Sequence, residues 1–288
     1  HKIKIKEKIM KNDDIVITSA FRTAIGKFCG SLSSQTAPEL GSTVIKKCVE
    51  NSELKKEEVD MVYMGQVLTA GTGQNPARQA SILAGLPHET TNTTVNQVCG
   101  SGLASVTLAY NSIKSGDGKL VIAGGQESMS NSHHYMNISK GIKMGDGKMK
   151  DSMSIDGLWD VYNQYHMGIT AENVAEKFQI RREEQDSFAA ASQRKAAEAI
   201  KEKKFVNEIV PVKIKFKKEE IEFDKDEYPK AESTVEKLAK LRPAFKKDGT
   251  VTAGNASSVN DGAAALCLMT GEMAIKKNIE PLAKIVSW

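Results

Sequence analysis

No apolar run in the sequence approaches the ~20 residues that a membrane-crossing helix requires, so no membrane partner is expected. Cysteine is scarce: Cys29, Cys48, Cys99 and Cys267 are the only four, and none forms a Cys-x-x-Cys pair. That excludes a zinc knuckle, a thioredoxin-type redox pair and a disulfide scaffold, and no metal site is expected. No signal-peptide apolar segment is present, which predicts a reduced setting, cytoplasmic or inside an organelle. Only six of the 40 basic residues are arginine, and the net charge is +4. A nucleic-acid partner is therefore not expected, because the arginine fork is the side chain that best reads bases and clamps phosphates. Low-complexity tracts and repeats of roughly 20–50 residues are absent as well.

What is present suits a folded protein. The chain has 288 residues, 40% hydrophobic and 26% charged, enough for a sizeable core. At about 150 residues per domain the length suggests roughly two domains. Residues 1–10 alternate lysine and isoleucine without a turn signal and read as a tag or extension, with an edge strand as the alternative. Residues 14–20, 59–68, 93–98 and 120–125 are β-branched or apolar runs that read as strands. Helices are predicted between them. Thr36 caps one, with Pro38 in its first turn and Leu40, Val44, Ile45 and Cys48 as its stripe. A second begins at Asn75 and ends near Gly85, and a third spans 102–114 with Leu103, Val106, Tyr110 and Ile113 on one side. This alternation predicts an open, largely parallel sheet. Residues 131–155 lose periodicity and read as a long surface excursion, residues 182–204 as a strong helix, and 209–216 and 220–223 as two strands joined by a charged turn. Residues 263–269 read as a buried strand, and 283–288 as the beginning of another.

Chemistry concentrates in Asn96-Gln-Val-Cys-Gly-Ser-Gly-Leu103, where a cysteine sits between a predicted strand and a predicted helix. A sharp strand-to-helix turn presents its residue outward. Gly100 and Gly102 remove side chains that would crowd it. A helix N-terminus offers unpaired N–H groups and a positive dipole end, which favour a thiolate nucleophile and can hold an oxyanion. The plainer reading is a small buried hydrophobe, and that reading is kept for Cys48 and Cys267. Cys29 lies in a glycine-bounded turn with nothing to support a role.

The segment Val95-Asn-Gln-Val-Cys-Gly-Ser-Gly-Leu103 resembles the acyl-enzyme cysteine motif of the thiolase family. Further motifs follow in the family's order: Arg22-Thr-Ala-Ile-Gly-Lys27, Gly73-Gln-Asn-Pro-Ala-Arg-Gln-Ala80, Ala123-Gly-Gly-Gln-Glu-Ser-Met-Ser130, Tyr165-His-Met-Gly-Ile-Thr-Ala-Glu-Asn173, Gly249-Thr-Val-Thr-Ala-Gly-Asn-Ala-Ser257 and Asn260-Asp-Gly-Ala-Ala264. The resemblance covers residues 13–288, and the His166-Met167 pair is similar to the biosynthetic, short-chain subgroup. It implies an α/β fold, a layered βαβ mixed sheet with an inserted loop domain. The implied boundaries are a tag or extension at 1–12, an N-terminal half at 13–130 returning at 256–272, a substrate-covering loop domain at 131–255, and the start of a C-terminal half at 273–288. The second half is then largely missing.

The resemblance further implies an acyltransferase that condenses two acetyl-CoA to acetoacetyl-CoA plus CoA, and runs the reverse thiolysis, with acetyl carried on Cys99. It needs no cofactor beyond the coenzyme A thioester that is its substrate. His166 and Met167 line the acyl and pantetheine end. Ser257, with Ala253 and Ala256, lies along the pantetheine arm. Leu158 and Phe245 flank the coenzyme A moiety. Each has a plainer alternative: core packing for Leu158 and Phe245, a helix cap for Ser257, a structural histidine for His166. Residues 131–155 resemble the segment that serves tetramer contacts in the family, which implies a homotetramer built as a dimer of dimers.

The chain departs from the family pattern in two ways. Lys230 stands where an arginine is common near the coenzyme A phosphates, and Lys237 where a serine is common. With Lys217 and Lys218 these could form a basic lip, or simply a solvated charged face. The family's Asn-Glu-Ala-Phe, Gly-His-Pro and second Cys-Gly-Gly segments occur nowhere in the 288 residues. By the family pattern they carry the general base and part of the oxyanion hole, so the chain by itself is expected to be largely inactive in condensation. The alternatives are a degradative 3-ketoacyl-CoA thiolase, separable by a chain-length series, and a non-catalytic acyl-CoA-binding relative, separable by binding without turnover.

Overall fold

In the computed structural model the described residues are 11–52, 54–216 and 219–288; the extension at 1–10 and the Lys217–Lys218 part of the basic lip lie outside them. The first part of the chain alternates β1 (Ile15–Thr23), α1 (Ala37–Asn51), β2 (Met61–Gly65), α2 (Pro76–Leu83), β3 (Thr91–Val95), α3 (Ser101–Ser115) and β4 (Leu120–Ser128). Thr36 caps α1 as predicted. The Thr36 N–H in turn donates to the Glu39 carboxylate at 2.7 Å, which completes a capping box. The Leu40, Val44, Ile45 and Cys48 stripe is buried against the sheet.

Beyond β4 the chain makes a long excursion through α4 (Met167–Lys177), α5 (Arg182–Lys201), β5 (Ile209–Val210) and the hairpin of β6 (Val212–Phe216) and β7 (Glu219–Phe223). The excursion touches the edge of the main sheet at β5, and the chain returns to the sheet's interior as β8 (Asn260–Thr270). The strand order is β5–β1–β8–β4–β2–β3, with short strands at Gly26–Lys27 and Ala283–Lys284 pairing β8 and β1.

The sheet is mixed, which corrects the largely parallel reading drawn from strand–helix alternation. β2 pairs parallel with β3 and with β4, but β8 inserts antiparallel between β1 and β4. A strand that arrives after an excursion of more than a hundred residues leaves no mark of its direction in local periodicity. Both sheet faces are covered. Leu120 and Ile122 pack with α1 and α2, whereas Val121 and Ala123 pack with Ala109 and Ile113 of α3, as period-two alternation requires.

Three further expectations change. The run at 209–216 breaks at Pro211, which cannot donate to a ladder, so β5 joins β1 and β6 starts a separate hairpin. The fully buried stripe of α3 is Ser101, Ser105, Ala109 and Ile113; Val106 and Tyr110 pack half-buried against the same cluster as Ile113, as expected, but Leu103 is 73% exposed. The helix approaches the sheet too closely for larger groups there. A Cβ added to Gly65 would lie 2.5 Å from the Ser101 carbonyl carbon, and Ser105 Oγ donates to the Gly124 carbonyl at 2.7 Å. The strand expected at 93–98 ends at Val95, because Val98 has φ +50°.

Candidate active site

The turn that carries Cys99 is built from residues 96–101, and side chains hold it as much as backbone. Asn96 Oδ1 accepts the Val98 N–H at 3.0 Å, and Ser101 Oγ accepts the Gln97 N–H at 2.8 Å. The Gly100 and Ser101 amides donate to Gln97 and Val98 carbonyls. A β-branched residue at positive φ costs about 1–3 kcal/mol, so Val98 stores strain immediately before Cys99. Cys99 is exposed, and α3 begins two residues later, so the positive end of its dipole faces the thiol's neighbourhood. The other thiols differ. Burial pushes Cys48 up to about 12 and Cys267 up to about 11, which leaves both unreactive at neutral pH. Cys29 is exposed at φ +53°, its amide donating to Ser130 Oγ at 2.7 Å.

Cys99 lines a cavity of about 430 Å³ together with Val67, Leu68, Glu127 and Leu158. Leu158 also lines a second cavity of about 380 Å³, which holds His166, Met167, Phe245, Ala256 and Ser257. Lys230, Lys237 and Ala253 line a third, of about 360 Å³. The first two share Leu158. Ala256 and Ser257 also line a further hollow of about 520 Å³, which shares Gln193, Tyr228 and Gly254 with the third.

Within the second cavity His166 does two things. Its Nδ1 accepts the Gly168 N–H at 3.0 Å, capping α4, a helix that sequence reading did not anticipate. That bond places the proton of the neutral ring on Nε2. The ring also stacks on Phe245, with centroids 5.0 Å apart. Gly168 leaves the room for Phe245, since a Cβ there would sit 2.1 Å from the aromatic ring. Ser257 is exposed in irregular chain ahead of β8, so the helix-cap alternative for it does not hold. Lys230 and Lys237 are exposed, and the Lys230 amide donates to Gln193 of α5 at 2.7 Å.

The sequence reading missed a group of polar residues under the Cys99 cavity. Glu127 accepts the Val67 N–H at 2.8 Å and the Leu68 N–H at 3.3 Å. Burial pushes its carboxyl above the ordinary value; the two N–H groups oppose that and the nearby Asp261 charge adds to it. Asp261 accepts both the amide and hydroxyl of Ser130. The available signal was a carboxylate in the strand Leu-Val-Ile-Ala-Gly-Gly-Gln-Glu-Ser, whose neighbours are apolar or small.

Comparison with known proteins places this geometry in context. Residues 15–272 match the family model described as thiolase, N-terminal domain. The acetyl-CoA acetyltransferase of Rhizobium meliloti is 54% identical over 279 residues, covering 97% of this chain and 71% of the relative. That of Chromobacterium violaceum is 57% identical over 274 residues, covering 94% and 70%. The crystal structure of the Bacillus anthracis acetyl-CoA acetyltransferase superposes with a TM-score of 0.92 at 41% identity, covering 96% of this chain and 71% of that one.

Proposed function

The chain belongs to the thiolase family, and from that premise we propose that it acts as an acetyl-CoA acetyltransferase, joining two acetyl-CoA into acetoacetyl-CoA and CoA. The carrying observation is Cys99, held on a strained turn at a helix N-terminus and lining a cavity that meets the His166 hollow at Leu158. In the first step Cys99 Sγ attacks the thioester carbonyl carbon, the bond to the CoA sulfur breaks, and CoA leaves as a thiolate that takes up a proton. In the second, the α-carbon of another acetyl-CoA gives up a proton and attacks the acetyl-cysteine carbonyl. A carbon–carbon bond forms and Sγ departs. The resemblance assigns the base for this step to a second cysteine, in a segment that the 288 residues do not contain. Cys99 therefore accounts for the acetyl-transfer step, and the base of the second step is left to that segment.

Substrate placement follows the hollows. The acyl end lies by Cys99. The pantetheine arm passes Leu158, His166, Met167 and Phe245 toward Ala256, Ser257 and Ala253. The anionic nucleotide end lies near Lys230 and Lys237, which meet phosphate as point charges. No cofactor is needed beyond the thioester. The proposed units are 13–130 with 256–272, a covering domain at 131–255, and 273–288 as the start of a further half. Among the described residues no helix is long and apolar enough to cross a membrane, and a cytoplasmic setting is proposed. A homotetramer is supported by apolar exposure in the excursion, where Ile138, Ile142, Met144 and Met149 face solvent, Met144 at 94%. A monomer by light scattering would overturn it.

The deciding experiment is intact-mass analysis after mixing with acetyl-CoA. One acetyl group mapped to Cys99 is expected; no adduct, or one on another residue, would overturn the assignment.

A further inference from the structure

The chain between β2 and α2 carries part of the Cys99 cavity wall on Val67 and Leu68, and no strand partners their amides. Side chains do so instead. Glu127 reaches across from β4 and takes both N–H groups, one on each carboxylate oxygen. On the other side Gln66 Nε2 donates to the Leu68 carbonyl at 3.0 Å, and Gln126 Nε2 donates to Gln66 Oε1 at 2.9 Å. Gln126 is itself confined: a Cβ on Gly41 of α1 would lie 1.8 Å from its Oε1. The turn is thus gripped from both faces by buried or half-buried polar groups, and Leu68 is held 5% exposed. A Cβ on Gly157 would lie 3.6 Å from Leu68 Cδ2, so this side chain also meets the segment that brings Leu158 to the cavity.

We propose that Glu127 is a positioning residue that sets acyl-chain length: by fixing the 67–68 turn it places Leu68 as the wall against which the acyl group on Cys99 must fit. The inference rests on Cys99 being the acyl acceptor. A carboxylate meets the two neighbouring N–H groups with a separate oxygen each. An amide at the same place accepts one and turns an NH₂ toward the other. Glu127→Gln therefore loosens the wall while preserving size. It also removes a half-buried charge beside Asp261, so it need not lower stability, which separates positioning from simple scaffolding.

The test is a competition on the 288-residue protein. Acetyl and hexanoyl thioesters of N-acetylcysteamine are mixed at equal concentration, and the adducts on Cys99 are counted by mass. The wild type is expected to favour acetyl. An extra methylene in an apolar pocket is worth about 10–200-fold, so a loosened wall should move the ratio toward hexanoyl by about tenfold. Leu68→Ala should move it the same way, and the double variant little further, because both act through one wall. An unchanged ratio in Glu127→Gln, strict additivity in the double variant, or loss of the melting transition in Glu127→Gln would each overturn the proposal. If the wild type takes neither acyl group, the acyl-acceptor reading fails instead. The same wall is then read by competing iodoacetamide against N-cyclohexylmaleimide at Cys99, where Glu127→Gln should favour the bulkier reagent and an unchanged ratio overturns the positioning role.

Discussion

Strand β4 and helix α5 lie at the centre of their respective regions, yet β4 buries Leu120, Val121, Ile122 and Ala123 completely while α5, twenty residues long, buries only Asp186. The sheet region is held by apolar contact on both faces. The excursion is held by carboxylates that grip backbone amides and polar side chains. Asp186 takes Arg182 at 2.7 Å and Asn255 at 2.9 Å, and Arg182 reaches on to the Leu238 and Leu241 carbonyls. Glu172 takes the Thr250 and Val251 amides, and Asp226 takes Arg22 and the Ile25 amide. Apolar burial tolerates small adjustments and is indifferent to pH, whereas carboxylate clamps are directional and titrate. Cys99, the proposed nucleophile, stands on the first kind of structure, and the residues proposed to cover it stand on the second.

The largest effect should come from the proposed nucleophile. Cys99→Ala should abolish the acetyl adduct while leaving the thermal transition in place, since the side chain is exposed and contributes little packing. Mass analysis beside calorimetry checks both. A surviving adduct would move the chemistry to another residue and remove the reason for setting the two regions apart.

Next is a core truncation. Ile122→Ala in β4 should cost about 2–5 kcal/mol, the ordinary price of a fully buried aliphatic group and the cavity left behind. Denaturant unfolding should register it as a global loss. By contrast Asp186→Ala should cost about 1–3 kcal/mol, because it strands the partly exposed Arg182 guanidinium and the Asn255 amide. Its effect should be local. Hydrogen exchange is expected to rise in α5 and around residues 250–255 while β4 stays protected. Equal loss of protection in both places would show that the two regions unfold as one.

This contrast also accounts for what could be read from the residues alone. The α1 stripe was legible because large apolar side chains at helical spacing have one sensible use. The α3 stripe was legible only in part: Val106, Tyr110 and Ile113 pack as expected, but the close approach at Ser101 depends on Gly65, on strand β2, which sequence order does not place beside it. The exposed strand–helix turn at Cys99 was legible from its glycine neighbours, but the strain falls on Val98, which nothing in its chemistry marks. Leu158, His166 and Ser257 came from resemblance, and the structure adds that His166 spends Nδ1 on capping a helix. Glu127 escaped notice because its partners are backbone amides sixty residues away, and backbone partners leave no sequence trace.

Acid should separate the regions more gently. Burial pushes the Asp226 carboxyl up, but the Arg22 hydrogen bonds and the Ile25 N–H outweigh it, so it sits below the ordinary 3.8. Glu172 likewise is held below 4.5: burial raises it, and the Val251 and Thr250 amides more than offset that. Groups so depressed contribute stability that is present above their unfolded values and is lost as pH falls through the folded ones. Glu127 has the opposite sign: its proton is favoured by folding, so that contribution is full below 4.5 and lost as pH rises through its raised value. Below pH 3.8, limited proteolysis should therefore cut within 131–259 before it cuts the sheet. Simultaneous cleavage would mean that the carboxylate clamps do not set the excursion's stability.

The smallest expected effect tests whether burial, rather than charge alone, gives the clamps their weight. Arg194 and Glu198 form an i, i+4 pair at 3.0 Å on α5, only two turns from Asp186, but their side chains are 62% and 56% exposed. Solvent screens such a pair, and holding two long side chains in one geometry costs entropy, so pairs of this kind contribute about 0.3–0.5 kcal/mol. Arg194→Ala should shift the unfolding midpoint by no more than that and leave α5 amide protection unchanged, whereas Asp186→Ala on the same helix should not. If the two substitutions were equally damaging, α5 would be held by its charge pairs in general. If only Asp186→Ala is damaging, the helix is anchored at one buried carboxylate, and the rest of its surface is free to face solvent.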